Sequence, residues 1–531
     1  MKKDRRRILA GISAWAAAIA IAPVGVLTAC ADSSMENDTR SLKRGTSKRD
    51  VSATTITVHA DRPLRRVNPL ILGNNIDWTH SAHAFYEENT QRVSSGFMAL
   101  ADRLAPTALR YPGGTNSDFY HWQNGIGPFK QRQPNKTMDG SKDVIGLGTD
   151  EYLALCKRWD SEPLITVNLA TGTANEAAEW VRYVNKRTTD LPRVKYWEIG
   201  NEPYLKAHFP ESGMTPAEYA RRANAFIRAM KVVDPTIQVG LTLRNDTLGG
   251  VEATPFKGFN DIVLKGVSEP FEFAALHSSY FPVTFEKKES EEELFLATMA
   301  GTRSMQEDME TTRTLLRRYH PKRQIRLAIT EFNALYSMDI LRFGLASVFL
   351  SKTDRYIESM AGALYVADAL RVLSQTDDLL MANYWSLTGN WWFGAIGHDG
   401  KPRPQFHVLE AYRDLIHGDL LETDVNGPVM ATPRAGFVPS RNDIQVVGAH
   451  AVSDKGIIRI AVINRHPNQP AHVRLSFPRI ARGDVEVRDL TSDHYFAKPV
   501  SWSTRRLALR EGGLEMQLPR HAFSVITLRP S

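Results

Sequence analysis

Two glutamates each close a short apolar run. Glu202 stands in Trp197-Glu198-Ile199-Gly200-Asn201-Glu202-Pro203 and Glu331 in Ala328-Ile329-Thr330-Glu331-Phe332-Asn333. Side chains alternate along a strand, so Glu202 shares a face with Gly200 and Glu198, and its place at the strand's end favours it over Glu198 for chemistry. Alone, a glutamate in such a place serves equally well as a helix cap or a salt-bridge partner. Two across one opening suit a double displacement at an anomeric carbon, with carboxyls roughly 5–5.5 Å apart, one attacking and the other protonating the leaving oxygen. Their pKa values must then differ. Arg110, in Leu109-Arg110-Tyr111-Pro112-Gly113-Gly114, is the candidate cation for holding Glu331 ionised; a plain interior salt bridge is the alternative.

The elements that must position these groups recur eight times between residues 71 and 387. Each is an apolar strand run followed by a longer helical pattern. The runs are ILGNNID (71–77), ALRYPG (108–113), PLITVNL (163–169), YWEIGNE (196–202), IQVGLT (237–242), FAALHSS (273–279), IRLAITE (325–331) and LMANYWSL (380–387). Thr215-Pro216 before an amphipathic stretch reads as an N-cap followed by a first-turn proline. Eight alternating units predict an α/β fold, a (β/α)8 TIM barrel, over residues 71–404. Asp77, Arg110, Asn168, Asn201, Glu202, His277, Glu331 and Trp385 all fall at or near the C-terminal ends of these runs. In a barrel those ends converge on one face, which is the main argument for an enzyme. From residue 405 to 531 short alternating runs predict an antiparallel, jelly-roll-like β-sandwich of seven or eight strands. The segment 54–70 begins with the same alternation (TTITVHAD) and is expected to complete that sandwich.

Composition narrows the class. The chain has 531 residues, 42% hydrophobic and 24% charged, which excludes a disordered chain and a multi-span membrane protein. Two cysteines exclude a disulfide scaffold and a cysteine-based zinc site. The net charge of +7 includes +4 from residues 1–29, leaving +3 on the rest, which argues against a nucleic-acid partner. There is no HExxH, His277, His398 and His407 lack ligand spacing, and no glycine-rich phosphate loop follows a strand, so neither metal nor cofactor is expected. Cys156, within TDEYLALCKRW, is expected to be a buried small apolar residue.

Residues 1–29 have a basic start, an apolar run and a small-residue end, the anatomy of a secretory signal. A transmembrane helix is the competing reading, weakened by Pro23 and Gly25. Leu27-Thr28-Ala29-Cys30 resembles a bacterial lipobox, which implies lipidation at Cys30 and an exported, membrane-anchored lipoprotein on the periplasmic or cell-surface side. Asp4-Arg5-Arg6-Arg7 loosely resembles a twin-arginine signal. Residues 30–53 read as a flexible tether.

An Asn-Glu pair on strand four with a Glu on strand seven resembles the signature of clan A glycoside hydrolases. Within the clan the chain is similar to family 51, the α-L-arabinofuranosidases. The similarity runs through ILGNNID, LRYPGGTNSDFYHWQNGIGP (109–128), IGLGTDEYLALC, PLITVNLATGT, VKYWEIGNEP, ITEFNALY, IAVINRHP and LPRHAFSVITL, nearly the whole body in order. It implies Glu202 as acid/base, Glu331 as nucleophile and Asn201 on the sugar 2-hydroxyl. Asp77, Arg110, Asn168, His277, Tyr280 and Trp385 are the further candidates for substrate contact. The implied partner is an oligo- or polysaccharide; another clan A activity (β-glycosidase, galactofuranosidase or endo-glucanase) and a non-catalytic glycan-binding lipoprotein are the alternatives. The chain departs from the family pattern at Pro203 (usually Met), Asp77 (usually Glu) and Phe332 (commonly Trp). In His277-Ser278-Ser279-Tyr280 the tyrosine that would touch the nucleophile is displaced, and Tyr384-Trp385-Ser386 and Trp392 look more like other clan members.

Overall fold

The computed structural model describes residues 53–83, 85–87, 92–205, 211–244, 258–277, 279–284, 289–336, 353–389 and 392–531. The expected signal segment, Cys30 and nearly all of the tether lie outside them. Among the described residues no helix is long and apolar enough to cross a membrane.

Eight parallel strands close a barrel, as the eight runs predict. They are Gly73–Asn75, Ala108–Tyr111, Glu162–Val167, Tyr196–Ile199, Gln238–Leu243, Phe273–Leu276, Arg326–Leu335 and Leu379–Tyr384. Each pairs with its sequence neighbours, and the eighth returns to the first through Asn383↔Gly73 and Tyr384↔Asn74. Alternation puts residues two apart on one face, so the interior is layered. Ala108, Leu164, Tyr196, Phe273, Ala328 and Met381 form an apolar floor. Two residues further along the same strands come Arg110, Thr166, Glu198, Ala275, Thr330 and Asn383, a layer in which every member but Ala275 is polar. The helices outside carry the apolar stripe that buries this sheet. Thr215 caps the helix Pro216–Val233 by accepting from the Glu218 N–H, with Pro216 in the first turn. Cys156 is buried in the helix Thr149–Trp159, where burial pushes its thiol pKa up.

Two irregularities shape the mouth. Between strands seven and eight the register slips between Ile329↔Ala382 and Phe332↔Tyr384. The extra residue makes a bulge that lets Thr330 and Glu331, though adjacent, both reach interior partners. Strand six pauses at His277 and resumes as Ser279–Pro282, still paired with strand seven in the register it had before the gap (Leu276↔Ile329, then Ser279↔Phe332).

The C-terminal domain is a mostly antiparallel sheet of nine strands, eight from Asp419 onward, in line with the seven or eight expected there, and one from the N-terminal segment. It includes Thr54–Arg66, which pairs antiparallel with Asp419–Asn426 and parallel with Ala471–Ser476. The helix Pro404–Tyr412 packs on the barrel helix Met360–Gln375, so this sheet starts at Asp419 rather than at 405. The sheet rolls up around one core, to which Leu509 and Leu518 contribute from its two outermost strands, Ser501–Leu509 and Gly513–Leu518. Arg505 Nη2 of one edge donates to the Gln517 carbonyl of the other at 2.8 Å.

Candidate active site

Arg110 is the hub. It is fully buried, and each arm of its guanidinium is occupied. Nε donates to Glu198 Oε2 at 2.6 Å, Nη1 to Glu331 Oε1 at 2.7 Å and to Asn75 Oδ1 at 3.1 Å, and Nη2 to Asn201 Oδ1 at 2.9 Å. One rigid fork therefore ties strands one, two, four and seven together.

Glu331 accepts a second hydrogen bond, from the Tyr280 hydroxyl to Oε2 at 2.7 Å. Tyr280 stands on the segment Ser279–Pro282, opposite Asn333 of strand seven. Burial raises the Glu331 pKa, and the nearby Glu202 adds to this; His277, Arg110 and the Tyr280 hydroxyl oppose it, and the net direction is upward. Arg110 thus counters the burial of Glu331 without overturning it.

Glu202 lies just past strand four, where the chain turns through two left-handed residues, Gly200 (φ 72) and Glu202 itself (φ 43). A Cβ on Gly200 would stand 2.9 Å from the Leu169 Cβ, so only glycine lets the strand end approach its neighbour this closely. A glutamate held at positive φ is costly and marks a position set by its surroundings. Its side chain is 21% exposed against 6% for Glu331, so Glu202 is the carboxyl that solvent reaches. The Tyr204 hydroxyl donates to Glu202 Oε1 at 3.1 Å.

His277 joins the two. Its Nδ1 lies 3.2 Å from Glu202 Oε1 and 3.7 Å from Glu331 Oε1, which brings those two oxygens within about 7 Å of each other. Burial lowers the imidazole pKa, but Glu331, Glu198 and Glu202 more than compensate and push it up to about 9.

The other expected residues divide. Asn201 keeps a buried Nδ2 with no hydrogen-bond partner, a donor facing the site. Trp385 is buried over the turn that follows strand two: a Cβ on Gly114 would stand 2.5 Å from its ring, and Gly114 has φ 62. Asn168 is spent on its own loop, its Oδ1 accepting from the N–H groups of Thr171 and Gly172 and its Nδ2 donating to the Tyr120 carbonyl. Asp77 Oδ1 accepts from the Thr79 N–H and hydroxyl. Sequence reasoning missed Thr166, Thr330, Asn75 and Tyr204, and set Glu198 aside. Alternation from Glu202 pointed Glu198 into the barrel; its partners lie on other strands.

A barrel with paired carboxyls at the C-terminal ends of strands four and seven defines a class, that of the clan A glycoside hydrolases, which this chain resembles. Within it the chain resembles family 51. Residues 100–247 match the family model described as the alpha-L-arabinofuranosidase 1 domain. Alpha-L-arabinofuranosidase C of Emericella nidulans is 32% identical over 209 residues, 35% of this chain and 40% of that protein, so the chain spans about two fifths of this relative's length. The intracellular exo-alpha-L-arabinofuranosidase of Bacteroides ovatus is 24% identical over 89% of this chain and 95% of its own. The fold matches the crystal structure of the alpha-L-arabinofuranosidase from Thermotoga maritima with a TM-score of 0.75 at 22% identity, over 90% of this chain and 99% of that one.

Proposed function

We propose that the protein is an exported, lipid-anchored retaining glycoside hydrolase, acting as an exo-α-L-arabinofuranosidase, with Glu331 as nucleophile and Glu202 as acid/base. The observation that carries this reading is the shared contact with His277 Nδ1, which brings one oxygen of each carboxyl within about 7 Å of the other, close enough to include the roughly 5–5.5 Å that a double displacement uses.

Glu331, aimed by Arg110 and Tyr280, attacks the anomeric carbon while Glu202 gives its proton to the leaving oxygen. The covalent glycosyl-enzyme is then hydrolysed by a water that the Glu202 carboxylate deprotonates. Solvent access to Glu202 suits that second role. The unpartnered Asn201 Nδ2 is placed to donate to a sugar hydroxyl, and it gains most when the transition state strengthens that bond. The arabinose preference is inferred from the relatives named above. The Asx turn at Asp77, where the family usually places a longer glutamate, favours as second reading a clan A glycosidase with a different sugar subsite.

Glu202→Ala is expected to abolish cleavage of natural glycans while sparing the first step on an activated aryl arabinofuranoside, with turnover restored by azide. Glu331→Ala is expected to lose both substrates. If Glu331→Ala kept aryl activity and Glu202→Ala lost it, the roles would be reversed; full activity of both on glycan would overturn the assignment of these two glutamates, and a wild type that binds glycan without cleaving it would leave a binding protein. A panel of aryl glycosides identifies the sugar. For the anchor, Cys30→Ser is expected to move the protein from membranes to the soluble fraction with activity intact, and continued membrane association would sink that part.

A further inference from the structure

Glu198 lies four residues before Glu202 on the same strand, fully buried beneath the site. Four elements converge on it. Arg110 Nε and the Thr166 hydroxyl donate to Oε2, each at 2.6 Å, the Thr330 hydroxyl donates to Oε1 at 2.7 Å, and His277 Nε2 stands 3.8 Å from Oε1. A carboxylate so surrounded stays ionised: burial opposes, but the Arg110 charge and the hydrogen bonds hold it at about 2.

That fixes a proton. A threonine hydroxyl has one hydrogen, and Thr330 gives it to Glu198. The Thr330 oxygen must therefore accept from His277 Nε2, 2.9 Å away, so Nε2 carries a proton. Nδ1 then faces Glu202 Oε1 and Glu331 Oε1, where a lone pair is repelled by carboxylate and a second proton is attracted. We propose that Glu198 is a positioning residue that acts through Thr330 as the buried counter-charge of His277, and so sets the pH range over which the two reacting carboxyls share one proton. This rests on the reading of Glu202 and Glu331 given above.

The charge balance explains the consequence. Arg110 and His277 are two cations against three carboxyls, and Glu198 is ionised, so a neutral cluster leaves one proton on the Glu202–Glu331 pair. Three neighbouring groups stay protonated at pH 7. The phenols of Tyr204 and Tyr280 are raised well above 10, with Asp308 among the charges acting on Tyr204, and burial pushes the Asp118 carboxyl up to about 8. Without the Glu198 charge the cluster gains a net positive charge. It sheds a proton, from His277 or from the carboxyl pair, at lower pH.

The test is the pH dependence of kcat/KM on a natural glycan for wild type, Glu198→Gln and Glu198→Asp. Glu198→Gln keeps the shape and an acceptor for Thr330. The whole bell is expected to move to lower pH, its basic limb by about one unit or more, with Glu198→Asp returning it most of the way. A Glu198→Gln profile with both limbs unmoved, whatever its height, overturns the proposal. Should Glu198→Gln fail to fold, nitrogen-15 NMR of histidine-labelled wild type decides, with His277 assigned by its loss in His277→Gln. Both ring nitrogens protonated at pH 7 is the expected result, and a singly protonated ring overturns the proposal. A wild type that cleaves no glycoside would instead overturn the underlying glycosidase reading.

Discussion

Among the described residues, two buried arginine–carboxylate clusters each keep a histidine beside them. One is the site around Arg110. The other is the seam between barrel and sheet, where Asp368 accepts from Arg371 Nε at 2.6 Å and from Arg465 Nη2 and the Thr302 hydroxyl, both at 2.5 Å. Burial acts on both histidines in the same direction. At the seam Arg371 adds to it, Asp368 only partly opposes, and His450 falls to about 3; at the site three carboxylates reverse it and His277 rises to about 9. Burial sets the scale of the shift, and the sign of the nearest unbalanced charge sets its direction. The seam has one carboxylate for two arginines. The site has three carboxyls for one arginine, and Asn201 Nδ2 beside them has no hydrogen-bond partner.

The sharpest way to break the comparison is to remove one charge from each cluster. Arg110→Met and Asp368→Asn each strand buried groups of opposite sign and are expected to cost about 3–5 kcal/mol in urea unfolding. Only Arg110→Met is expected to lower kcat per folded molecule, by about a hundredfold to a thousandfold, because it releases the Glu331 carboxylate from its guanidinium partner. An Asp368→Asn enzyme equally crippled at a temperature where it stays folded would show that the two clusters are not separable.

A smaller effect sharpens the comparison. His277, with its folded pKa above that of the unfolded chain, contributes stability that is complete below about pH 6.5 and is lost as pH rises through about 9. His450, depressed to about 3, has the opposite window: its contribution is present above about pH 6.5 and is lost as pH falls toward 3. Unfolding free energy measured across pH should slope down on both sides. In His450→Leu the acid-side slope from this group should vanish, at a change of about 1 kcal/mol or less at pH 7, since an unpartnered polar ring is replaced by an apolar one.

Much of this was legible in the chain because it depends on residues close in sequence. Eight apolar runs with polar ends gave the barrel, and strand alternation carried Glu202 and Glu331 to its mouth. The rest depended on how neighbouring strands slide past one another. The slip opposite Ala382–Tyr384 turns both Thr330 and Glu331 inward, and alternation within one strand contradicts that arrangement. Asn168 sits at a strand end like the others, yet its amide has backbone donors within reach in its own loop, and those local bonds took it. Glu198 looked secondary because position at a strand end was the criterion, whereas its influence comes from being below the end, out of water.

The rolled sheet of the second domain has a consequence of a different kind. A long open strand is a template on which another chain can add, and a protein rich in strands must blunt its borders to stay dispersed. Here the two borders are brought side by side, joined by Arg505 to the Gln517 carbonyl, and the border strand Ser501–Leu509 carries the adjacent cations Arg505 and Arg506. Neither border of this sheet stands alone as a docking rail for a stray strand, so the sheet itself offers a second copy of the chain little to add to.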